Sequence, residues 1–505
     1  MADQPPEGKK QRRHSRSQIS SRYMRERWSD FLSQDRRGML TIEGVPVDRI
    51  VAKYGTPVYV YVESEIRERL RRFRKVFPHP IDLQYAVKCN SNLAILRMAR
   101  EEGFDLDCAS VGEIILGLLA DFRPRQISFT NLYKSEQDLH FAAKIGVQSI
   151  TADSLEDIEN IARTAKKLRK HIDTVIRVNP MLQIGNFSSR GNKYGIPISY
   201  IDRAIDLARR SPYVDFQGFH FMGGYVRNPR VFKAAARIFV KLIKRCAERD
   251  IRIRTVSLGG GFPAAIGEED AFPIETMRDF PRYWNRLLQL SGINYPIQLI
   301  FEPGKSIVLN AGIGLMRVVS RKRLGLRSRM VIADGSSYNF VPDAIVQGGI
   351  KYDVLPASRM NHRRIHKVTI AGNTCDCWDL ITKDLEMPKL RAGDLLAVMD
   401  LGAYAQVMAC NFNTIKRAPI VLMHPDGTNK LIRRRDRYSE MFAPELDILK
   451  MAGPNELEKY HNLYRVNIDK IWKSTQKDRP RPSNRNGNGN DEHEFAKEHL
   501  KRKMN

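Results

Sequence analysis

The chain has 505 residues, with 84 Lys and Arg against 57 Asp and Glu, a formal charge of +27 and six cysteines. The length suits a large core in two domains, no apolar run approaches the roughly 20 residues that span a bilayer, and scattered cysteines make no disulfide framework. The charge favours anionic partners or plain solubility, and by itself chooses neither.

In chain order, residues 1–40 read as a basic, flexible segment. Residues 1–37 are Arg- and Ser-rich without an apolar stretch, which argues against a secretory signal, and Asp3, Glu7, Glu26 and Asp30 weaken a transit-peptide reading. A reducing cytoplasm is the expected setting. Residues 41–310 form the next region, a lead-in followed by alternating apolar and amphipathic runs. Strands are expected at 57–61, 83–87, 104–108, 126–129, 147–152, 174–179, 216–221, 255–258 and 297–301, with helical stretches such as 63–76 and 155–168 between them. Repeated β–α units imply a parallel sheet, and about eight of them over roughly 250 residues fit a closed (β/α)8 barrel, with an open doubly wound sheet as the alternative. Over 311–455 the apolar runs at 315–319, 330–332, 367–370 and 395–399 are separated by turn residues, which predicts a mostly antiparallel β-domain. Residues 456–505 read as a polar tail, and the Pro-, Ser-, Asn- and Gly-rich stretch 479–491 reads as disordered.

The chemistry should lie where barrel strands end. A lysine, Lys88, stands at the end of the second expected strand, followed by small polar residues. Taken alone it is most simply a surface lysine. A lysine held at a barrel mouth can also lose its proton and attack a carbonyl. Two later strands run into glycines, Met222-Gly223-Gly224 and Gly259-Gly260-Gly261-Phe262, and another ends at Glu302-Pro303-Gly304-Lys305. Consecutive glycines let a phosphate approach backbone N–H groups. An amine, a phosphate loop and a carboxylate for a ring nitrogen are what pyridoxal 5'-phosphate requires.

These residues resemble a known family, the fold type III pyridoxal-phosphate decarboxylases, which includes diaminopimelate, ornithine and arginine decarboxylases. The likeness runs from about Tyr54 to Leu446. Tyr85-Ala86-Val87-Lys88-Cys89-Asn90 is similar to the Schiff-base motif, and Asp107-Cys108-Ala109-Ser110 to the segment whose aspartate lies near that lysine. Arg177-Val178-Asn179-Pro180 and Lys193-Tyr194-Gly195 match two barrel signatures. The resemblance implies that His220 stacks on the cofactor ring, that Gly259, Gly260 and Gly261 hold the phosphate, and that Glu302, in Glu302-Pro303-Gly304, pairs with the ring nitrogen. It places Lys305 on the phosphate or substrate, and Tyr404, in Gly402-Ala403-Tyr404, on the phosphate. Cys375-Asp376-Cys377-Trp378-Asp379 is similar to the motif that contributes a cysteine to the partner subunit's barrel, which implies a homodimer with shared sites. Cys375-x-Cys377 lacks a second Cys/His pair with zinc spacing, and Cys375 beside acidic residues reads as a proton donor for the decarboxylated carbon. Asp376, Lys305 and Tyr404 are the expected substrate contacts.

Several positions depart from the family pattern. Lys305 replaces an arginine, Asp376 a glutamate and Gly224 a serine. The Arg-Pro motif and tyrosine that grip the distal end of diaminopimelate correspond to Val341-Pro342-Asp343-Ala344-Ile345. The expected activity is therefore decarboxylation of a small-molecule amino acid, with a basic, conjugated or carrier-linked substrate among the candidates. Nucleic acid and membrane are not expected partners. A racemase on the same fold would carry a tyrosine in place of Cys375 and an arginine in place of Glu302. A non-catalytic pyridoxal-phosphate-binding regulator would have no use for intact Lys88, Glu302 and Cys375, and carbon dioxide release separates it from the decarboxylase.

Overall fold

A computed structural model describes residues 30–264, 272–324, 329–342 and 352–451. The chain divides into two units, 1–437 and 438–505. The described part of the second unit is the pair of helices Tyr438–Met441 and Ala443–Met451. The expected tail 456–505, with its stretch 479–491, lies outside the described residues.

Eight parallel strands close into a barrel: Asp82–Ala86, Asp105–Cys108, Ile127–Thr130, Ser149–Ala152, Ile172–Asn179, Val214–His220, Thr255–Ser257 and Gln298–Phe301. Closure is explicit, because Gln298–Phe301 pairs with Asp82–Ala86, and Ser149–Ala152 pairs with Ile172–Asn179. The open sheet is thereby excluded. The strands are short and largely buried, as a sheet covered on both faces requires. The helix that leads into the first strand, Glu63–Val76, is amphipathic: it buries Ile66, Leu70 and Phe73 and leaves Glu68, Arg71 and Lys75 exposed. Serines start several of the helices between the strands. Ser110, Ser135 and Ser154 each accept an N–H from the first turn of the following helix, and Ser110 and Ser154 do so two residues after their strands end.

One expected barrel strand lies elsewhere. Val58–Val62 pairs antiparallel with Gly312–Arg323 and parallel with Ile420–Met423, in the second sheet. Its Val-Tyr-Val-Tyr-Val run is buried throughout and so resembles a barrel strand in composition. The second sheet runs in the order Leu380–Met387, His366–Ala371, Arg329–Ala333, Gly312–Arg323, Val58–Val62, Ile420–Met423, Asn429–Arg433. Most of its pairings are antiparallel, as expected. Residues 30–40, read from sequence as flexible, belong to a small sheet of Leu32–Gln34, Leu40–Ile42 and Val45–Pro46. The cause is apolar: Phe31, Leu32, Leu40 and Ile42 join Val58, Val60, Ile313 and Leu315 in a core of their own.

Candidate active site

The strand Asp82–Ala86 ends one residue earlier than its apolar run suggests. Val87–Cys89 forms a single 3-10 turn, which lifts Lys88 out of the strand register. Lys88 Nζ lies 2.7 Å from Asp107 Oδ2, with the lysine side chain 32% exposed and the aspartate 1%. Asp107 comes from the neighbouring strand Asp105–Cys108. Burial favours the neutral amine, but the charges of Asp107 and Glu302 outweigh it and raise the Lys88 pKa above its ordinary value. Asp107 Oδ1 is buried with no hydrogen-bond partner among the described residues.

Glu302 follows the strand Gln298–Phe301 and is 3% exposed. One oxygen accepts the Ser257 hydroxyl at 2.5 Å, and the other lies 3.1 Å from His220 Nε2. Burial alone would raise this carboxyl. The interactions with His220, Lys88 and Ser257 overcome burial and hold it below the usual carboxylate range. Arg177 settles the histidine tautomer. Its Nε–H, which can only donate, points at His220 Nδ1 at 3.3 Å. This places Nδ1 as the acceptor and Nε2–H as the donor to Glu302. Arg177 Nη1 reaches Asp153 Oδ1 at 2.7 Å, and Gly195 N–H donates to the same oxygen at 3.2 Å. The two barrel signatures noted in the sequence thus converge on one buried carboxylate.

This network carries a prediction. Arg177 and Asp153 are 4% and 7% exposed. Arg177→Gln leaves Asp153 as a buried charge without its guanidinium, and should lower unfolding stability by about 3 kcal/mol. Denaturant titration of that variant, of Asp153→Asn and of the double variant should give strongly non-additive losses. Nitrogen NMR of labelled His220 should report the Nε2–H tautomer in the wild type. Additive losses, or an Nδ1–H ring, contradict the assignment.

Around this centre the backbone leaves room. Gly259 (φ +68°) and Gly261 (φ +89°) are left-handed, and a Cβ on them would sit 2.1 Å from Phe221 O and 2.3 Å from Gly224 O. Gly259 O accepts Glu302 N–H at 3.0 Å, which ties this loop to the carboxylate. Gly260 lies between them, and the N–H groups of Gly260 and Gly261 find no partner among the described residues. Pro303 O accepts Ala86 N–H at 3.1 Å, and Gly304 precedes the short helix Lys305–Val308. Lys305 Nζ sits 4.9 Å from the centre of the Tyr225 ring. From the β-domain, Tyr404 adopts a left-handed φ of 56° and donates its N–H to Cys89 O at 2.8 Å, next to Lys88. The Lys88 side chain, an anionic buried carboxylate, an Asp107 oxygen without a partner among the described residues and glycine N–H groups likewise without one fit pyridoxal 5'-phosphate: Lys88 would meet its aldehyde and the glycines its phosphate.

Cys375 and Asp376 are set apart from that cluster. Cys375 is exposed, its N–H donating to Asn413 Oδ1 at 3.1 Å and Asn413 Nδ2 lying 3.4 Å from its sulfur. The Tyr338 hydroxyl donates to Asp376, which lowers that carboxyl. Buried Asp379 pins the loop, accepting from the N–H and hydroxyl groups of both Ser337 and Thr374. Within one chain Cys375 makes no hydrogen bond with Lys88. Sequence reasoning assigned no part to Asp153, Ser257, Tyr338 or Asn413. Ser257, immediately before the Leu258–Gly261 turn, was the readable signal among them.

Comparison with known proteins agrees with this chemistry. The family described as pyridoxal-dependent decarboxylase, pyridoxal binding domain, matches residues 63–309. A diaminopimelate decarboxylase of Staphylococcus aureus is 31% identical over 418 residues, covering 79% of this chain and 96% of that protein. The chain belongs to the fold type III pyridoxal-phosphate-dependent decarboxylases. A second family member, the diaminopimelate decarboxylase of Bacillus subtilis, is 30% identical over 429 residues, covering 82% of this chain and 96% of that one. The crystal structure of diaminopimelate decarboxylase from M. jannaschii in complex with L-lysine superposes with a TM-score of 0.75 at 26% identity, covering 83% of this chain and 98% of that one. This chain is thus a pyridoxal-phosphate-dependent amino-acid decarboxylase. Among its described residues no helix is long and apolar enough to cross a membrane.

Proposed function

We propose that this decarboxylase acts on an amino acid or amino-acid derivative whose distal end differs from that of diaminopimelate, releasing an amine and carbon dioxide. The observation that supports the catalytic assignment is the 2.7 Å Lys88–Asp107 pair at a barrel mouth shared with Glu302. Bound pyridoxal phosphate supplies an electron sink for the bond to the leaving carboxylate. Asp107 orients Lys88 Nζ. Gly259, Gly260, Gly261 and Tyr404 would hold the phosphate end, Lys305 would reach the phosphate or the substrate, and Pro303 and Gly304 belong to the Glu302 motif that meets the ring. Glu302 would pair with the protonated ring nitrogen, and His220 would stack on the ring. Cys375 Sγ–H returns a proton to the substrate α-carbon, delivered from the second subunit of a homodimer. Asp376, Lys305 and Tyr404 contact the substrate.

The substrate reading rests on what replaces the distal grip. Val341 is fully buried in the main core, where its N–H donates to Ser336 O at 2.9 Å, and Ile345 lies outside the described residues. A valine offers no hydrogen bond to a distal ammonium-carboxylate group. Leaving such charges unpaired costs a few kcal/mol, a discrimination of roughly 10²-fold. The test compares kcat/KM for meso-diaminopimelate with lysine, ornithine, arginine and citrate- or carrier-linked amino acids. One of the latter should exceed diaminopimelate by about that factor. A clear preference for diaminopimelate sinks the reading and requires another residue to replace the missing arginine.

A further inference from the structure

Away from the barrel mouth, the β-domain holds a cavity of about 440 Å³ beside the run Arg321-Lys322-Arg323. Its walls come from the end of Gly312–Arg323, the starts of Arg329–Ala333 and His366–Ala371, and the turn after Leu380–Met387. Arg321, Lys322, Arg323, Arg329 and Lys389 line it, and among the described residues no carboxylate does. Arg323 and Arg329 stand directly opposite each other across the antiparallel ladder. Like charges so placed destabilise a sheet. Some arginines elsewhere on this unit meet acids, as Arg67 meets Glu63, Glu101 and Glu102, and Arg359 meets Asp394. Here Lys322, Arg323, Arg329 and Lys389 take no carboxylate partner among the described residues, and Arg321 is tethered to Leu390 O at 3.2 Å. His366, also lining the cavity, registers the same field. Burial first, then Arg329 and Lys389, lower its pKa.

The remaining wall is apolar. Val331, Val368 and Leu390 are buried there. The volume is that of a small-molecule site, which runs from about 300 to 1,000 Å³. Guanidinium forks bind phosphate oxygens in pairs, whereas ammonium groups act as point charges. We infer that this cavity is a second ligand site, separate from the decarboxylase centre, for a small anion carrying contiguous phosphates. Free nucleoside polyphosphates and inorganic polyphosphate share that chemistry, and titration with each distinguishes them.

The test uses the full-length chain loaded with pyridoxal phosphate and desalted. Isothermal titration with adenosine triphosphate and with inorganic triphosphate should give saturable binding at one site per chain. Tighter binding of the nucleotide assigns the wall to a base, and equal binding assigns the site to phosphates alone. Arg323→Ala/Arg329→Ala should weaken binding at least about tenfold, or about 1.4 kcal/mol. Lys322→Ala/Lys389→Ala, at exposed positions, should also weaken it, and serves as the readout if the first variant misfolds. Lys9→Ala/Lys10→Ala removes the same charge from the N-terminal segment and should leave binding intact. The visible cofactor absorbance and the turnover should not change in any of the three. No saturable binding, undiminished binding in both cavity variants, or an equal loss in the N-terminal variant overturns the inference. So does tighter binding of single-stranded RNA that depends on the same arginines and resists displacement by the nucleotide.

Discussion

Lys88→Arg is expected to take carbon dioxide release below detection while the protein stays folded. Arginine keeps a cation next to Asp107, so the buried carboxylate retains a partner. A guanidinium cannot be deprotonated in a protein and so cannot attack the cofactor aldehyde. Lys88→Ala should be equally inactive, but it also leaves Asp107, 1% exposed, without its ion pair. That penalty is of order 1–3 kcal/mol, so comparing the two variants separates chemistry from stability. The raised Lys88 pKa sharpens the expectation. With Asp107 and Glu302 favouring the ammonium, the amine becomes a nucleophile only when its proton is removed during cofactor loading. The wild type should absorb in the visible, both variants should not, and borohydride followed by peptide mapping should find pyridoxal on Lys88. Labelling of another lysine, such as Lys305, with Lys88 untouched, contradicts the assignment.

The barrel was legible because its strands are short apolar runs that end in residues a strand end does not ordinarily need. Lys88, Asp107, His220, Gly259 and Glu302 all fall at or just past such ends, and the fold brings them to one mouth. Composition failed at Val58–Val62. Five buried residues look the same at the centre of a mixed sheet as in a parallel barrel, and only the pairing with Gly312–Arg323 and Ile420–Met423 decides between them. The Arg177–Asp153 pair was hidden for another reason. A buried arginine and aspartate have no local pattern, and their partnership is a product of closure, which sets Ser149–Ala152 beside Ile172–Asn179. The left-handed Tyr404 was equally invisible, since strained φ values of non-glycine residues are fixed by surrounding contacts.

Cys375→Ala should keep the visible cofactor spectrum and lose turnover by about 10²-fold or more, the magnitude of a lost general acid. The geometry motivates a split between cofactor binding and catalysis. Cys375 lies on an exposed loop anchored by Asp379 and Asn413, and it forms no hydrogen bond to Lys88, Asp107, His220 or Glu302 of its own chain. A loop held this firmly and facing outward can serve a barrel mouth on another copy without a large ordering cost. Cys377→Ala is the control, since Cys377 is exposed in the same loop and has no assigned proton to deliver. Co-refolding equal amounts of Lys88→Arg and Cys375→Ala chains tests the sharing directly. Random pairing makes half the dimers mixed, and each mixed dimer holds one mouth with both an intact lysine and an intact cysteine. Activity should therefore return to about a quarter of the wild-type value. Full activity of Cys375→Ala alone removes the thiol from the mechanism. An inactive mixture with mixed dimers demonstrably present would mean that lysine and cysteine must come from one chain, and that this loop has to move to reach its own barrel.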